Sequence, residues 1–237
     1  MNYFIAGTDT GVGKTVVTAA LFLAFAERGL RVFPFKPVQT GWRPDEHDLR
    51  WALEFAPGKV SDTIRERLNI YRFSLPASPH LAAAQAGVVV DPQVILKRLH
   101  ELESCADIIL LESAGGVMTP LTESWTMLDL LQATAATPIL VARSALGMLN
   151  HTALAWEAMT RAGCPPAALV INDAAEVVSD EDRLIRNDNI AWWRRRLAPI
   201  PVVVFDHQAA WSASTLRAMG SRLVEALTVG SPRKTTR

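Results

Sequence analysis

An apolar strand that runs straight into a glycine loop and then into a helix opens this chain. Few local patterns restrict a fold more. Tyr3–Ala6 is the strand, Gly7-Thr-Asp-Thr-Gly-Val-Gly-Lys-Thr15 the loop, and Thr15–Arg28 the helix, with Gly29 as its stop signal. Glycines let the backbone wrap with its N–H groups pointing inward, and the helix N-terminus adds a positive partial charge, so the loop suits a phosphate. Gly11, Val12, Gly13, Lys14, Thr15 and Val16 form the cradle; Lys14 is spaced to reach terminal phosphates and the Thr15 hydroxyl to ligate Mg²⁺. Gly7 and Gly13 enclose five residues, one more than the usual phosphate-loop spacing. The alternative is a glycine turn before a core helix, but strand, turn, Gly-Lys-Thr and helix all coincide.

Further short apolar runs follow at Val32–Phe35, Ile108–Leu111, Ile139–Ala142, Leu169–Ile171 and Val202–Phe205. Their near-continuous hydrophobicity predicts strands buried on both faces, as in a parallel sheet. Helical patterns separate them at Asp91–Glu103, Thr126–Ala136, Thr152–Ala162 and Ser214–Leu227. Strands alternating with helices predict an α/β fold, a doubly wound, mostly parallel sheet flanked by helices and like that of P-loop NTPases. We expect one domain over residues 1–228, with Arg43–Ala86 inserting helices and loops between two strands, and a disordered tail over 229–237.

Composition excludes several function classes. The 24 basic and 24 acidic residues balance, which argues against a basic nucleic-acid binder. Cys105 and Cys164 stand far apart, so neither a disulfide framework nor a cysteine zinc site is expected. His47, His80, His100, His151 and His207 lack ligand spacing. The longest apolar run, Val16–Ala26, is too short to span a bilayer, and no basic leader precedes the first strand. A soluble cytoplasmic protein is expected. Trp192-Trp193 before Arg194–Arg196 reads as a helix end with tryptophan packed inward and arginine facing water.

Only five of the 24 basic residues are lysine, so each lysine raises the question of why a compact ammonium stands there. Lys36 follows the second strand, at the end of a parallel sheet where ligands collect, and could join Lys14 around a polyphosphate. The spacing alone is equally compatible with a surface lysine before a proline turn. Glu112 ends the strand Ile108–Leu111 and precedes Gly115 and Gly116, a place for a Mg²⁺ ligand or for a carboxylate paired with a local arginine. Asp48 is a further candidate beside Asp45 and Glu46, in a segment that a solvated loop would match as well.

Taken in order, these motifs resemble the dethiobiotin synthase family. The resemblance runs through Gly7–Thr15, Lys36-Pro-Val38 with Thr40-Gly41, Ala77-Ser-Pro-His80, Glu112-x-Ala-Gly-Gly116 to Thr119-Pro-Leu121, Leu146-Gly147 with Asn150-His151, and Val170-Ile-Asn-Asp173. It covers roughly residues 1–173. It implies an ATP-dependent, Mg²⁺-dependent cyclo-ligase joining CO₂ (or bicarbonate) to 7,8-diaminopelargonic acid through a carbamate and a carbamic–phosphoric anhydride. By resemblance, Lys14 and Lys36 contact phosphates and the developing carbamoyl phosphate, and Thr10 lies near the reacting groups. Thr40 touches the diamine or its carbamate; Thr15, Asp48 and Glu112 hold Mg²⁺; and Asn172 sits where the family reads adenine. Leu146, Gly147, Met148 and Asn150 correspond to a turn that captures the substrate carboxylate across a homodimer. No nucleic acid or membrane partner is implied.

The chain departs from the family pattern at three places. Ser113 replaces the usual glycine after the glutamate, the surroundings of Asp48 match loosely, and Pro201–Gln208 stands where a Gly-x-x-Pro strand end is usual. Two other readings compete. A cobyrinic-acid-type amide ligase would carry a glutamine-hydrolysing domain with a catalytic cysteine, for which the chain has no matching context. A partitioning-type ATPase switch would carry a lysine five residues before Lys14, where Asp9 stands.

Overall fold

The computed structural model describes residues 1–44, 48–55, 62–173 and 179–230; Asp45, Glu46 and the tail beyond Gly230 lie outside them. The strands are β1 (Asn2–Gly7), β2 (Val32–Phe35), β3 (Val38–Thr40), β4 (Tyr71–Phe73), β5 (Ile108–Glu112), β6 (Thr137–Arg143), β7 (Ala168–Asn172) and β8 (Val202–Phe205). Six of them form one sheet in the order β2-β5-β1-β6-β7-β8, every neighbouring pair parallel. β3 and β4 make a separate parallel pair. The chain first steps from β1 out to β2, returns to β5, then crosses to β6. The order in which strands are added therefore reverses at β1, where an open α/β sheet leaves a crevice for ligands. Pro34, which has no N–H to donate, sits in an edge strand.

The helices are α1 (Lys14–Glu27), α2 (Arg50–Glu54), α3 (Asp62–Arg67), α4 (Pro79–Gln85), α5 (Pro92–Glu103), α6 (Met127–Thr134), α7 (Met148–Arg161), α8 (Asp180–Leu197) and α9 (Ala213–Gly230). Alternation along each strand divides the core into two layers. Ile109, Leu111, Leu140 and Ile171 pack with residues of α5 through α8, whereas Ile108, Leu110, Ile139 and Val170 pack with α1 and α9. This double burial is why the strands read as unbroken apolar runs. α1 is buried nearly throughout, which hides any amphipathic stripe in its sequence.

Helix starts follow local chemistry. Asp91 accepts from Gln93 N at 2.8 Å ahead of Pro92, and Thr126 forms a reciprocal capping box with Asp129. α7 begins at Met148, four residues before the predicted Thr152, because Gly147 (φ 87°) turns the backbone into the helix and Met148 is buried. α8 is longer than its sequence suggests. Only Ile190, Trp193 and Leu197 of its residues are buried, and an otherwise polar surface masks that stripe. Trp193 packs in the core while Arg194–Arg196 face solvent and Arg196 lies over the Trp192 ring.

α1 and α9 approach so closely that a Cβ at Gly220 would collide with the carbonyl of Ala20. Gly220→Ala is expected to lower the unfolding free energy by about 1–3 kcal/mol, the usual cost of overpacking. Urea denaturation reads this as a lower midpoint at constant slope; an unchanged midpoint would mean that the two helices part without cost.

Candidate active site

The loop after β1 surrounds one end of a cavity of about 1110 Å³. Thr10, Gly11, Gly13, Lys14, Thr15 and Val16 line it from β1 and α1; Lys36 and Thr40 come from the ends of β2 and β3, Glu112 and Gly115 from β5 and the turn after it, and Asp48 from just before α2. Strand order accounts for this gathering. β2, β5 and β1 are consecutive neighbours, so their carboxyl ends open on one side of the sheet.

Glu112 is the least exposed charged group in the cavity, at 1% of its free area, and it is fully engaged on one oxygen. Lys36 Nζ donates to its Oε1 at 2.7 Å and Thr15 Oγ1 donates to the same oxygen at 2.9 Å. Lys36 also forms an ion pair with Asp48. Burial alone would lower the pKa of Lys36, but the charges of Glu112 and Asp48 outweigh it and raise the pKa above the ordinary lysine value. Lys36 therefore stays cationic. The backbone holds it in place: its N–H donates to Leu68 O at 2.9 Å, and Asn69 Nδ2 donates to its carbonyl at 2.6 Å.

Lys14 behaves differently. Its Nζ donates to the carbonyl of Asp9 at 2.8 Å, folding the side chain along its own loop. Burial first, then the nearby Lys36, lowers its pKa to about 8. An anion entering the loop would meet two buried ammonium groups, one already compensated by carboxylates and one held only by a backbone carbonyl. The Asp9 carboxylate points elsewhere and accepts from Thr10 N at 2.7 Å.

The other sequence candidates are more dispersed. Val12 is part of the core beneath the loop, and Gly116 packs against the Thr8 carbonyl. Asn172, at the end of β7, is buried behind the loop. Its Nδ2 donates to Val12 O at 3.2 Å while its Oδ1 has no partner among the described residues. Leu146, Gly147, Met148 and Asn150 do not line the cavity; they form the entry to α7, with Leu146 96% exposed. Ser113 Oγ is buried without a partner on the opposite face of β5 from Glu112, as strand alternation requires.

Sequence reasoning missed part of the wall. Arg50 and Trp51 of α2, Ser78 and Pro79 at the start of α4, and Thr119 line the same cavity. Ser78 and Pro79 belong to the Ala77–His80 motif and could have been named from it. Trp51, whose ring lies near that of Trp211, carried no signal beyond being a tryptophan in a polar segment. An ion-pair network at the ends of β7 and β8 was also not foreseen. Arg186 of α8 contacts Asp173 after β7 and Asp206 after β8, and Arg222 of α9 contacts Asp206.

Residues 1–205 match a sequence-family model described as an AAA domain. A relative from Halalkalibacterium halodurans named ATP-dependent dethiobiotin synthetase is 37% identical over 72% of both chains. One of the same name from Nitrosospira multiformis is 37% identical over 83% of this chain and 84% of its own. The chain belongs to the dethiobiotin synthetase family. A third relative of that name, from Anaeromyxobacter sp., is 40% identical over 73% of this chain and 77% of its own. Among solved structures, a chain of the MinC:MinD cell division protein complex of Aquifex aeolicus matches with a TM-score of 0.55 at 14% identity, covering 100% of this chain and 98% of that one. At that identity the likeness shows the P-loop NTPase-like fold alone. No helix among the described residues is long and apolar enough to cross a membrane.

Within this member of the family, the loop has no room for one more carbon at Gly13. Its φ is 103°, and a Cβ there would strike the Asn172 amide. Gly13→Ala is expected to abolish binding of ATP, followed by titration calorimetry, while the strained backbone costs about 1–2 kcal/mol of stability. Retained affinity would mean that Asn172 is free to move aside.

Proposed function

We propose that this chain is an ATP-dependent dethiobiotin synthetase, a ligase that joins CO₂ to 7,8-diaminopelargonic acid and closes a cyclic urea. Beside the family membership, one observation carries the reading: two buried lysines flank a buried glutamate over a phosphate-type loop, in a cavity roomy enough for a nucleotide and a second substrate.

The reaction makes three demands on these residues. One amine of the diamine adds to CO₂, losing a proton to solvent, and the carbamate oxygen then takes the γ-phosphoryl group as ADP departs. The second amine attacks the activated carbonyl and expels phosphate. Lys14 and the loop N–H groups bind and orient the triphosphate, and Lys36, kept cationic by Glu112 and Asp48, offsets charge where carbamate and phosphate meet. Thr10 and Thr40, which both line the cavity, hold the reacting amine and carbamate oxygens. Binding both reactants in one enclosure converts phosphoryl transfer and ring closure into steps between neighbours.

Mg²⁺ fits the donor set. Thr15 Oγ1, Asp48 and Glu112 would supply hard oxygen donors, and Glu112 Oε2 is buried with no hydrogen-bond partner among the described residues. When bound, the ion supplies neutralisation of triphosphate charge. Gly115 and Gly116 keep the turn after Glu112 narrow beside the loop. Asn172 Oδ1 is an unused acceptor suited to the exocyclic amine of adenine. For the substrate carboxylate we propose the entry to α7 of a second copy, formed by Leu146, Gly147, Met148 and Asn150. Support comes from the exposure of Leu146 and of Leu154 two turns on, an apolar strip left without a partner on one chain. The cytoplasm, which supplies ATP and bicarbonate, is the proposed location, and the chain is proposed to act as a single domain.

Two measurements test this reading. ATP-dependent incorporation of labelled bicarbonate with 7,8-diaminopelargonic acid is expected, and Lys14→Ala should remove it by at least about a thousandfold. No incorporation by a wild-type chain that binds MgATP would overturn the assignment. Gly147→Val, which forces a β-branched residue to φ 87°, should raise the diamine KM with little change in the KM for ATP. Unchanged diamine kinetics would remove that turn from the substrate site.

A further inference from the structure

The network around Arg186 joins the ends of β7 and β8. Among the described residues the last rung between β7 and β8 is Asp173 N donating to Phe205 O at 2.9 Å. Asp173 is buried at 3% of its free area. Its Oδ2 accepts from Arg186 Nε at 2.7 Å, and its Oδ1 has no partner. Arg186 Nη2 reaches Asp206 Oδ1 at 3.0 Å, so one guanidinium spans both strand ends. Arg222 stands outside this bridge, donating to Val204 O at 3.1 Å and lying 3.6 Å from Asp206. That outer pair is half-exposed beside an open cleft of about 490 Å³ and contributes little by itself. The inner pair does not share that weakness, because without Arg186 the Asp173 carboxylate would be buried and uncompensated.

Asn172 immediately precedes Asp173 and, by strand alternation, points to the other face, into the phosphate loop. Donation from Nδ2 to Val12 O fixes which way its amide is turned and leaves Oδ1 as a buried acceptor. A hydrogen-bond donor satisfies it, and a carbonyl does not. Adenine and cytosine carry an exocyclic amine at the corresponding edge, whereas guanine and uracil carry a carbonyl there. At 3.2 Å the bond to Val12 is already long, so a small displacement of the end of β7 would release the amide.

We propose that Arg186 is a positioning residue for nucleobase selection: by tying Asp173 to Asp206 it holds the end of β7 so that Asn172 presents its carbonyl to a base amine. The inference rests on the reading of the cavity as a nucleotide site whose base reaches Asn172, which is buried beside Val12 and just beyond the cavity lining.

The test uses the full-length chain with Arg186→Gln. The KM for ATP should rise about tenfold while kcat at saturating ATP stays within about twofold. The preference in kcat/KM for ATP and CTP over GTP and UTP should fall by a similar factor. Inhibition by inorganic tripolyphosphate, which reads the phosphate loop alone, should not change. Arg186→Lys, which offers one nitrogen where Nε and Nη2 of the guanidinium serve Asp173 and Asp206 separately, should restore part of the preference. An unchanged base preference, or an equal loss of ATP and tripolyphosphate affinity, overturns the proposal. Should Arg186→Gln fail to fold, Asp206→Asn breaks the bridge without emptying the buried pair. It should shift the base preference in the same direction, and no shift overturns the proposal. Asn172→Ala separates the two layers of argument. If it leaves base preference untouched, the underlying nucleotide reading at Asn172 fails. If it abolishes the preference while Arg186→Gln does not, only the role of Arg186 fails.

Discussion

The contact between Lys36 and Glu112 sets the terms for the rest of the site. A carboxylate with 1% exposure costs several kcal/mol unless a cation compensates it, and a lysine with 5% exposure carries the mirror-image penalty. Each side chain makes the other tolerable at 2.7 Å, but only if β2 lies next to β5 and both end at the same level. Thr15 on the same carboxylate oxygen ties this pair to the first turn of α1. Three segments distant in sequence thus meet at one buried oxygen. Separation of β2 from β5 leaves the Glu112 carboxylate unpaired, and separation of α1 removes a hydrogen bond from it.

The sheet order distributes two tasks to its two halves. β2, β5 and β1 bring the lysines, the glutamate and the phosphate-type loop to one cavity. β7 and β8 carry a second set of charges, Asp173 and Asp206, joined by Arg186. Both halves use the same device, a cation shared between two carboxylates, with different consequences. Lys36 sits inside the cavity and faces whatever binds there. Arg186 sits behind a strand end and acts on spacing. A planar guanidinium with several fixed donors suits the second role, and a compact ammonium suits the first.

Much of this was legible before any coordinates. The strand–loop–helix at Gly7–Thr15 and the apolar runs at Val32–Phe35 and Val202–Phe205 are local signals, and the structure forms those elements with the same or nearly the same limits. The site residues that follow strands were legible too, because the carboxyl end of a parallel strand is where a polar residue has a ligand to meet. The entry to α7 was harder: four residues were missed because a glycine with positive φ can begin a helix without any side-chain cap. α8 was nearly silent, since a helix that buries only Ile190, Trp193 and Leu197 looks like a solvated segment.

What the sequence by itself determined is the chemistry available: a loop that wraps an anion, lysines made conspicuous by their scarcity, and acids placed after buried strands. These depend on residues close together in the chain, where backbone freedom and hydrophobic period leave few choices. Only the tertiary structure decided pairing. It alone determines that Lys36 rather than an arginine compensates Glu112, that Asn172 lies under Val12, and that Arg186 reaches across two strand ends. The reason is physical. Pairing of a buried charge is set by which strands are neighbours and which way each residue faces, and neither is written in any window of sequence short enough to read.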